Sequence, residues 1–133
     1  MDPQTRDELV EQARAAAGQA YAPASSFPVG AALLGEDGQI FLGCNVENSS
    51  FGLTICAERG AVCQAVVAGN RAYEAIAIYT RGGTPGYPCG ACRQVLAEFS
   101  PGMQIILVGD GDEVVETTLD RLLPHSFRFE YPQ

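Results

Sequence analysis

The sequence predicts an α/β protein in which helices cover the faces of a mixed sheet. Apolar residues switch along the chain between helical spacing and short continuous runs. Those segments follow one another as helix, hairpin, helix, strand, helix, strand, strand, the alternation of a layered α/β domain. A length of 133 residues suits one domain with one core.

Each element has its own warrant. Residues Gln4 to Ala20 put Leu9, Val10, Ala13, Ala16, Ala17 and Ala20 on one helical face, and Gly18 and Pro23 close it. Val29 to Leu34 reads as a buried strand between Pro28 and Gly35. Glu36-Asp37-Gly38 signals a tight turn, with Ile40 to Cys44 as the returning strand. The second helix runs from about Ala57 to Ala68, with Ala61, Val62, Ala65 and Val66 inward and Gly69-Asn70 as its stop. Tyr73 to Tyr79 is β-like. A third helix over Gly90 to Phe99 is expected to bury Ala91, Val95, Leu96 and Phe99. Ile105 to Val108 and Val114-Val115 read as strands, Leu119 to Leu123 as a short helix. Phe127, Phe129 and Tyr131 alternate as a packed strand does.

Charge and cysteine content narrow the function. Eight basic and 16 acidic residues give a net charge of −8, which argues against a nucleic-acid backbone or an anionic membrane as partner. No apolar run approaches the ~20 residues of a membrane span. The polar N-terminus shows no signal peptide, so a cytoplasmic location is expected. The single histidine, His125, nearly excludes catalysis by a histidine network. Five cysteines in a reducing compartment point to metal ligands or redox thiols rather than disulfides.

Two helix starts concentrate the chemistry: Cys56-Ala57-Glu58-Arg59 and Pro88-Cys89-Gly90-Ala91-Cys92-Arg93. A Cys-x-x-Cys sets two sulfurs on one side of a first helical turn, and a thiolate from a neighbouring helix start makes three. Zinc with three protein ligands keeps a fourth position for water, the mark of a catalytic centre. Helix N-termini favour the thiolates, and Arg59 and Arg93 are candidates to offset their charge. Glu58, two residues beyond a ligand, can sit beside a metal without binding it, where a proton shuttle is needed. Blander readings fit the same residues. The Cys-x-x-Cys suits half of a structural zinc site with Cys44, Cys63 or His125 as fourth ligand, or a thioredoxin-like redox pair. Glu58 alone suits an exposed first-turn carboxylate. Cys44 and Cys63 read as small core residues, and His125 as a surface or interface residue.

The paired motifs resemble those of the zinc-dependent nucleobase deaminases. Ala20-Tyr21-Ala22-Pro23, Phe27-Pro28-Val29-Gly30-Ala31-Ala32-Leu33, Gly43-Cys44-Asn45-Val46-Glu47-Asn48 and Leu122-Leu123-Pro124…Phe127 extend the likeness. In unbroken order along nearly the whole chain, they are similar to the small homotetrameric cytidine deaminases. The resemblance implies that residues 1–133 form one catalytic domain, a three-layer α/β/α fold with a mixed five-stranded sheet. It implies one zinc ion per subunit on Cys56, Cys89 and Cys92, with Glu58 carrying protons in the deamination of cytidine and deoxycytidine. Asn45 and Glu47 would bind ribose hydroxyls, Phe27 would stack on the base, and the Ala57 amide would bind the base carbonyl. The Tyr87 carbonyl would receive the departing amine. Arg59 would support the metal site, and Phe51 and Phe127 would enter a neighbouring subunit's pocket. Ala24 and Phe51 stand where the family usually has tyrosine, and Tyr87 where it has a small hydroxyl residue. Rival functions are deamination of a modified cytosine nucleoside such as blasticidin S, and zinc binding without catalysis.

Overall fold

Ten elements follow one another in the computed structural model, which describes residues 1–131. They are α1 (Pro3–Ala17), β1 (Val29–Gly35), β2 (Ile40–Cys44), a 3-10 turn (Phe51–Leu53), α2 (Ala57–Val67), β3 (Tyr73–Thr80), α3 (Gly90–Ala97), β4 (Gln104–Val108), β5 (Val114–Thr118) and α4 (Leu119–Leu122). Asp2 caps α1 by accepting the Thr5 amide at 2.8 Å, with Pro3 in the first turn. This helix stops three residues short of the predicted Ala20, because Gly18 turns its amide back onto the Ala15 and Ala16 carbonyls.

The sheet runs β2-β1-β3-β4-β5. Only β3 and β4 are parallel; the other neighbours are antiparallel, as a mixed sheet requires. Side chains alternate between its faces. Ala32, Leu34, Ala75, Ala77 and Ile106 meet Leu9 and Ala13 of α1 on one side. Ala31, Leu33, Ile76, Ile78, Ile105 and Leu107 meet Ala61, Val62, Ala65 and Leu96 of α2 and α3 on the other, where Leu119 of α4 joins them. The result is the expected α/β/α sandwich. Burying one such leucine or isoleucine contributes about 1.5–3 kcal/mol.

Several expectations need correction. β5 extends to Thr118 rather than ending at Val115, because its register against β4 carries Glu116, Thr117 and Thr118 along the sheet edge. α3 ends at Ala97, and Ala91 faces solvent while Leu96 and Ala97 turn inward. Cys63 is exposed, since Ala61, Val62 and Ala65 occupy the inward face of α2, and Cys44 is half-buried. Phe127, Phe129 and Tyr131 form no strand and are 73%, 57% and 66% exposed.

Glycine lets α2 lie close on the sheet. A β-carbon at Gly43 would fall 2.1 Å from the Ala57 carbonyl oxygen and 2.6 Å from the Ala61 amide. That approach sets the first turn of α2 beside the end of β2. The start of β1 and the ends of β2 and β3 lie at the same end of the sheet, since Val29 pairs with Thr80 and Gly30 with Cys44.

Candidate active site

At this end of the sheet Cys56 and Cys89 occupy the cap positions of α2 and α3, with extended backbone rather than helical geometry. Their side chains thus overhang first-turn amides that have no carbonyl partner within the helix. Cys92, one turn into α3, is fully buried. The three sulfurs lie within 4.8 Å of one another. Zn–S bonds of about 2.3 Å span such a triangle and leave a tetrahedral position open, so this donor set fits a zinc ion. Among the described residues no fourth ligand joins, and Cys44, Cys63 and His125 all lie outside the cluster. The arrangement therefore departs from a closed structural site, and the third sulfur departs from a simple dithiol pair.

Electrostatics around the sulfurs follow from their packing. Burial pushes the Cys92 thiol up, and the Glu58 carboxylate beside it adds to the rise. Burial also acts upward on Cys89, but hydrogen bonds with Cys92, Cys56 and the Ala91 amide outweigh it and bring this thiol down. Arg59 Nη2 reaches the Cys56 sulfur at 3.9 Å and the Thr54 carbonyl at 3.0 Å, and the sulfur contact favours the protonated guanidinium. Arg59 Nε is buried without a hydrogen-bond partner. Arg93 Nε donates to the Pro88 carbonyl and Nη1 to the Leu122 carbonyl, both at 2.8 Å. It anchors Pro88, the residue before Cys89, and makes no hydrogen bond to a sulfur among the described residues.

Glu58 is 5% exposed, so it is no solvent-facing first-turn carboxylate. Burial holds its carboxyl above the usual range, partly offset by its own amide, Cys92 and Arg59. A cavity of about 410 Å³ opens in front of it. Phe27, Asn45, Glu47, Cys56, Ala57, Glu58, Tyr87 and Cys89 line that cavity, so eight of the residues named from sequence converge there. Ala57 supplies the first free amide of α2, while Phe27 and Tyr87 stand at the rim, 44% and 55% exposed.

Asn45 and Glu47 turn out to hold the wall as well as face the cavity. The Val29 amide donates to Asn45 Oδ1 at 2.8 Å, and Asn45 Nδ2 donates to the Phe27 carbonyl at 2.9 Å. Glu47 accepts the Ala24 and Ser25 amides and the Ser25 hydroxyl. Phe51, 74% exposed, lies in an adjoining hollow that shares Ser25, Glu47 and Thr54 with the main cavity. Phe127 lines neither hollow; its backbone is clamped to the Gln94 side chain. Ser25, Thr54, Ile78 and Thr80 also line the main cavity and escaped the sequence reading, as do Val29 and Pro88, which stood inside the quoted motifs without a role. Ser25 is two residues from Phe27, and that adjacency was its only signal.

Comparison with known proteins points one way. The family model described as the cytidine and deoxycytidylate deaminase zinc-binding region matches residues 3–108. The cytidine deaminase of Sporosarcina psychrophila is 48% identical over 125 residues, covering 93% of this chain and 92% of that protein. That of Halalkalibacterium halodurans is 46% identical over 127 residues, covering 94% and 96%. The crystal structure of cytidine deaminase from Burkholderia pseudomallei superposes with a TM-score of 0.88 at 45% identity, covering 96% of this chain and all of that one.

Proposed function

The chain belongs to the cytidine and deoxycytidylate deaminase family, and we propose that it hydrolyses cytidine and deoxycytidine to uridine and deoxyuridine. Water enters and ammonia leaves. The observation that carries this reading is a buried carboxylate beside three convergent sulfurs, those of Cys56 and Cys89 lining a cavity of nucleoside size and that of Cys92 buried beside them.

Cys56, Cys89 and Cys92 hold the zinc ion. Bound there, zinc supplies the Lewis acidity that makes water nucleophilic near neutral pH, as in the zinc deaminases generally. Glu58 would take one proton from the attacking water and pass it to N3 of the ring, then take the second from the hydroxyl added at C4 and pass it to the departing amine. Its burial supports this role, since a carboxyl kept out of water accepts a proton more readily. Arg59 steadies the sulfurs through Cys56. Phe27 stacks on the base, the Ala57 amide holds the base carbonyl and the Tyr87 carbonyl receives ammonia. Glu47 offers about four acceptor sites, and three are used by Ala24 and Ser25. One remains for a sugar hydroxyl. Asn45 keeps one N–H and one lone pair free for the same purpose.

Residues 1–133 act as one catalytic domain, the last two lying outside the described residues. The chain works in the cytoplasm as a homotetramer in which Phe51 and Phe127 complete a neighbour's pocket. Their exposure supports this, for aromatic rings left in solvent are favourable material for an interface. No described helix is long and apolar enough to cross a membrane.

Two measurements test the proposal. Absorbance of cytidine and deoxycytidine should fall with stoichiometric release of ammonia, and no turnover of either nucleoside would refute the activity. Sedimentation equilibrium should give four times the 14.1 kDa chain mass; a monomer that turns over at full rate would refute the shared pocket.

A further inference from the structure

The cavity wall that carries Phe27 has no regular secondary structure, yet its backbone is engaged almost throughout. Ala24 and Ser25 donate to Glu47 Oε1 at 2.8 and 3.2 Å, and the Ser26 amide donates to the Ala22 carbonyl at 3.0 Å. The Phe27 amide donates to Ser25 Oγ at 3.0 Å, and Asn45 takes the Phe27 carbonyl. At the centre stands Ser26 with φ of 55°, the one non-glycine residue at positive φ among the described residues. A residue with a β-carbon is strained there and stays only where its surroundings over-determine it.

The last restraint on this turn comes from another part of the chain. Arg81 Nη1 donates to the Ser26 carbonyl at 2.7 Å, across 55 residues of sequence. Arg81 directly follows β3, at the head of the loop that leads through Tyr87 and Pro88 to Cys89. One side chain therefore ties the loop that delivers a sulfur ligand to the loop that presents the aromatic ring. Its guanidinium makes a charge-assisted bond, stronger than a neutral one. Arg81 is exposed, so packing of the core does not depend on it.

We infer that Arg81 is a positioning residue, a latch that holds the strained Ser26 turn and, through it, keeps the Phe27 ring against the cavity. This rests on the reading above that Phe27 stacks on the base. Without the latch the turn relaxes toward negative φ and the ring leaves its place. Stacking serves substrate and transition state alike, so its loss raises KM and spares kcat.

The test uses Arg81→Met, which keeps the apolar stem and removes the donor, in the full zinc-loaded chain. Arg81→Met should raise KM for cytidine roughly tenfold with kcat within about twofold, at unchanged zinc content and Tm. Arg81→Lys, which keeps a charged donor, should recover most of the loss. Glycine accepts φ of 55° without strain, so in a Ser26→Gly background the Arg81→Met penalty should shrink to about twofold. An unchanged KM, a fall in kcat alone, a parallel loss of Tm, or an equal penalty in the Ser26→Gly background each overturns the latch. A parent chain that turns over no cytidine overturns the functional reading itself, and the latch with it.

Discussion

The floor and the rim of the cavity are held by different forces. At the floor, Ala57 and Glu58 are at most 5% exposed on a helix start backed by the main core, with Cys92 fully buried on the neighbouring helix. Cys56 is half-buried and Cys89 exposed at the cavity surface. At the rim, Phe27, Tyr87 and Phe51 are 44%, 55% and 74% exposed, and side-chain hydrogen bonds to backbone hold the segment carrying Phe27. Packing fixes Ala57, Glu58 and Cys92, and a single chain brings the three sulfurs together. The rim is fixed by a few polar side chains and leaves apolar rings uncovered. Substitutions at the floor should therefore change chemistry, whereas those at the rim should change binding.

Glu58→Gln is the strongest probe of this division. It preserves shape and burial but removes the proposed proton carrier, so kcat should fall by roughly 10²–10⁴-fold. Zinc content and Tm should stay at the parent values. Retained turnover would remove Glu58 from its role, and loss of zinc would make the residue part of the metal site instead.

Phe27→Ala probes the rim. Base stacking on an aromatic ring is worth about 1–3 kcal/mol, so KM should rise about tenfold or more while kcat changes little. A collapse of kcat at constant KM would erase the distinction between floor and rim.

The smallest expected effect concerns pH. The Ser25 hydroxyl is the largest influence on Glu47; desolvation, the second, opposes it, and the Ala24 and Ser25 amides add smaller help, so that the carboxyl lies below its ordinary value of 4.5. A carboxyl so lowered is ionised above that range and loses its acceptor character only as pH falls through the lowered value. KM for cytidine should thus stay flat between about pH 8 and pH 5. Ser25→Ala removes the largest of these influences and should move the acid rise in KM toward higher pH. A KM that climbs already near neutral pH in the parent chain would show that Glu47 is not the ionised acceptor.

The floor was legible in the sequence because its signals are local. Cys56-Ala57-Glu58 and Cys89…Cys92 mark helix starts, and a first helical turn dictates where those side chains go. The sheet could be read for a similar reason, since β1 and β4 are continuous apolar runs. Features decided by register or by distant contacts were not legible. β5 carries Glu116, Thr117 and Thr118 at a sheet edge, where polar residues are tolerated and resemble a loop. The apolar character of Cys63 says nothing about which side of α2 it faces. Ser25, Thr54 and Thr80 enter the cavity only because the start of β1 lies beside the ends of β2 and β3. The role of Arg81 requires a hydrogen bond across 55 residues, which no periodicity announces.

The central claim is that three sulfurs and one carboxylate at the floor form a zinc-dependent deaminating centre. Measuring zinc content alongside cytidine turnover, before and after treatment with a chelator, tests it most directly. The expected result is one zinc per chain, loss of turnover as zinc is removed, and recovery when zinc is returned. Zinc bound without turnover, or turnover that survives complete removal of zinc, would contradict it.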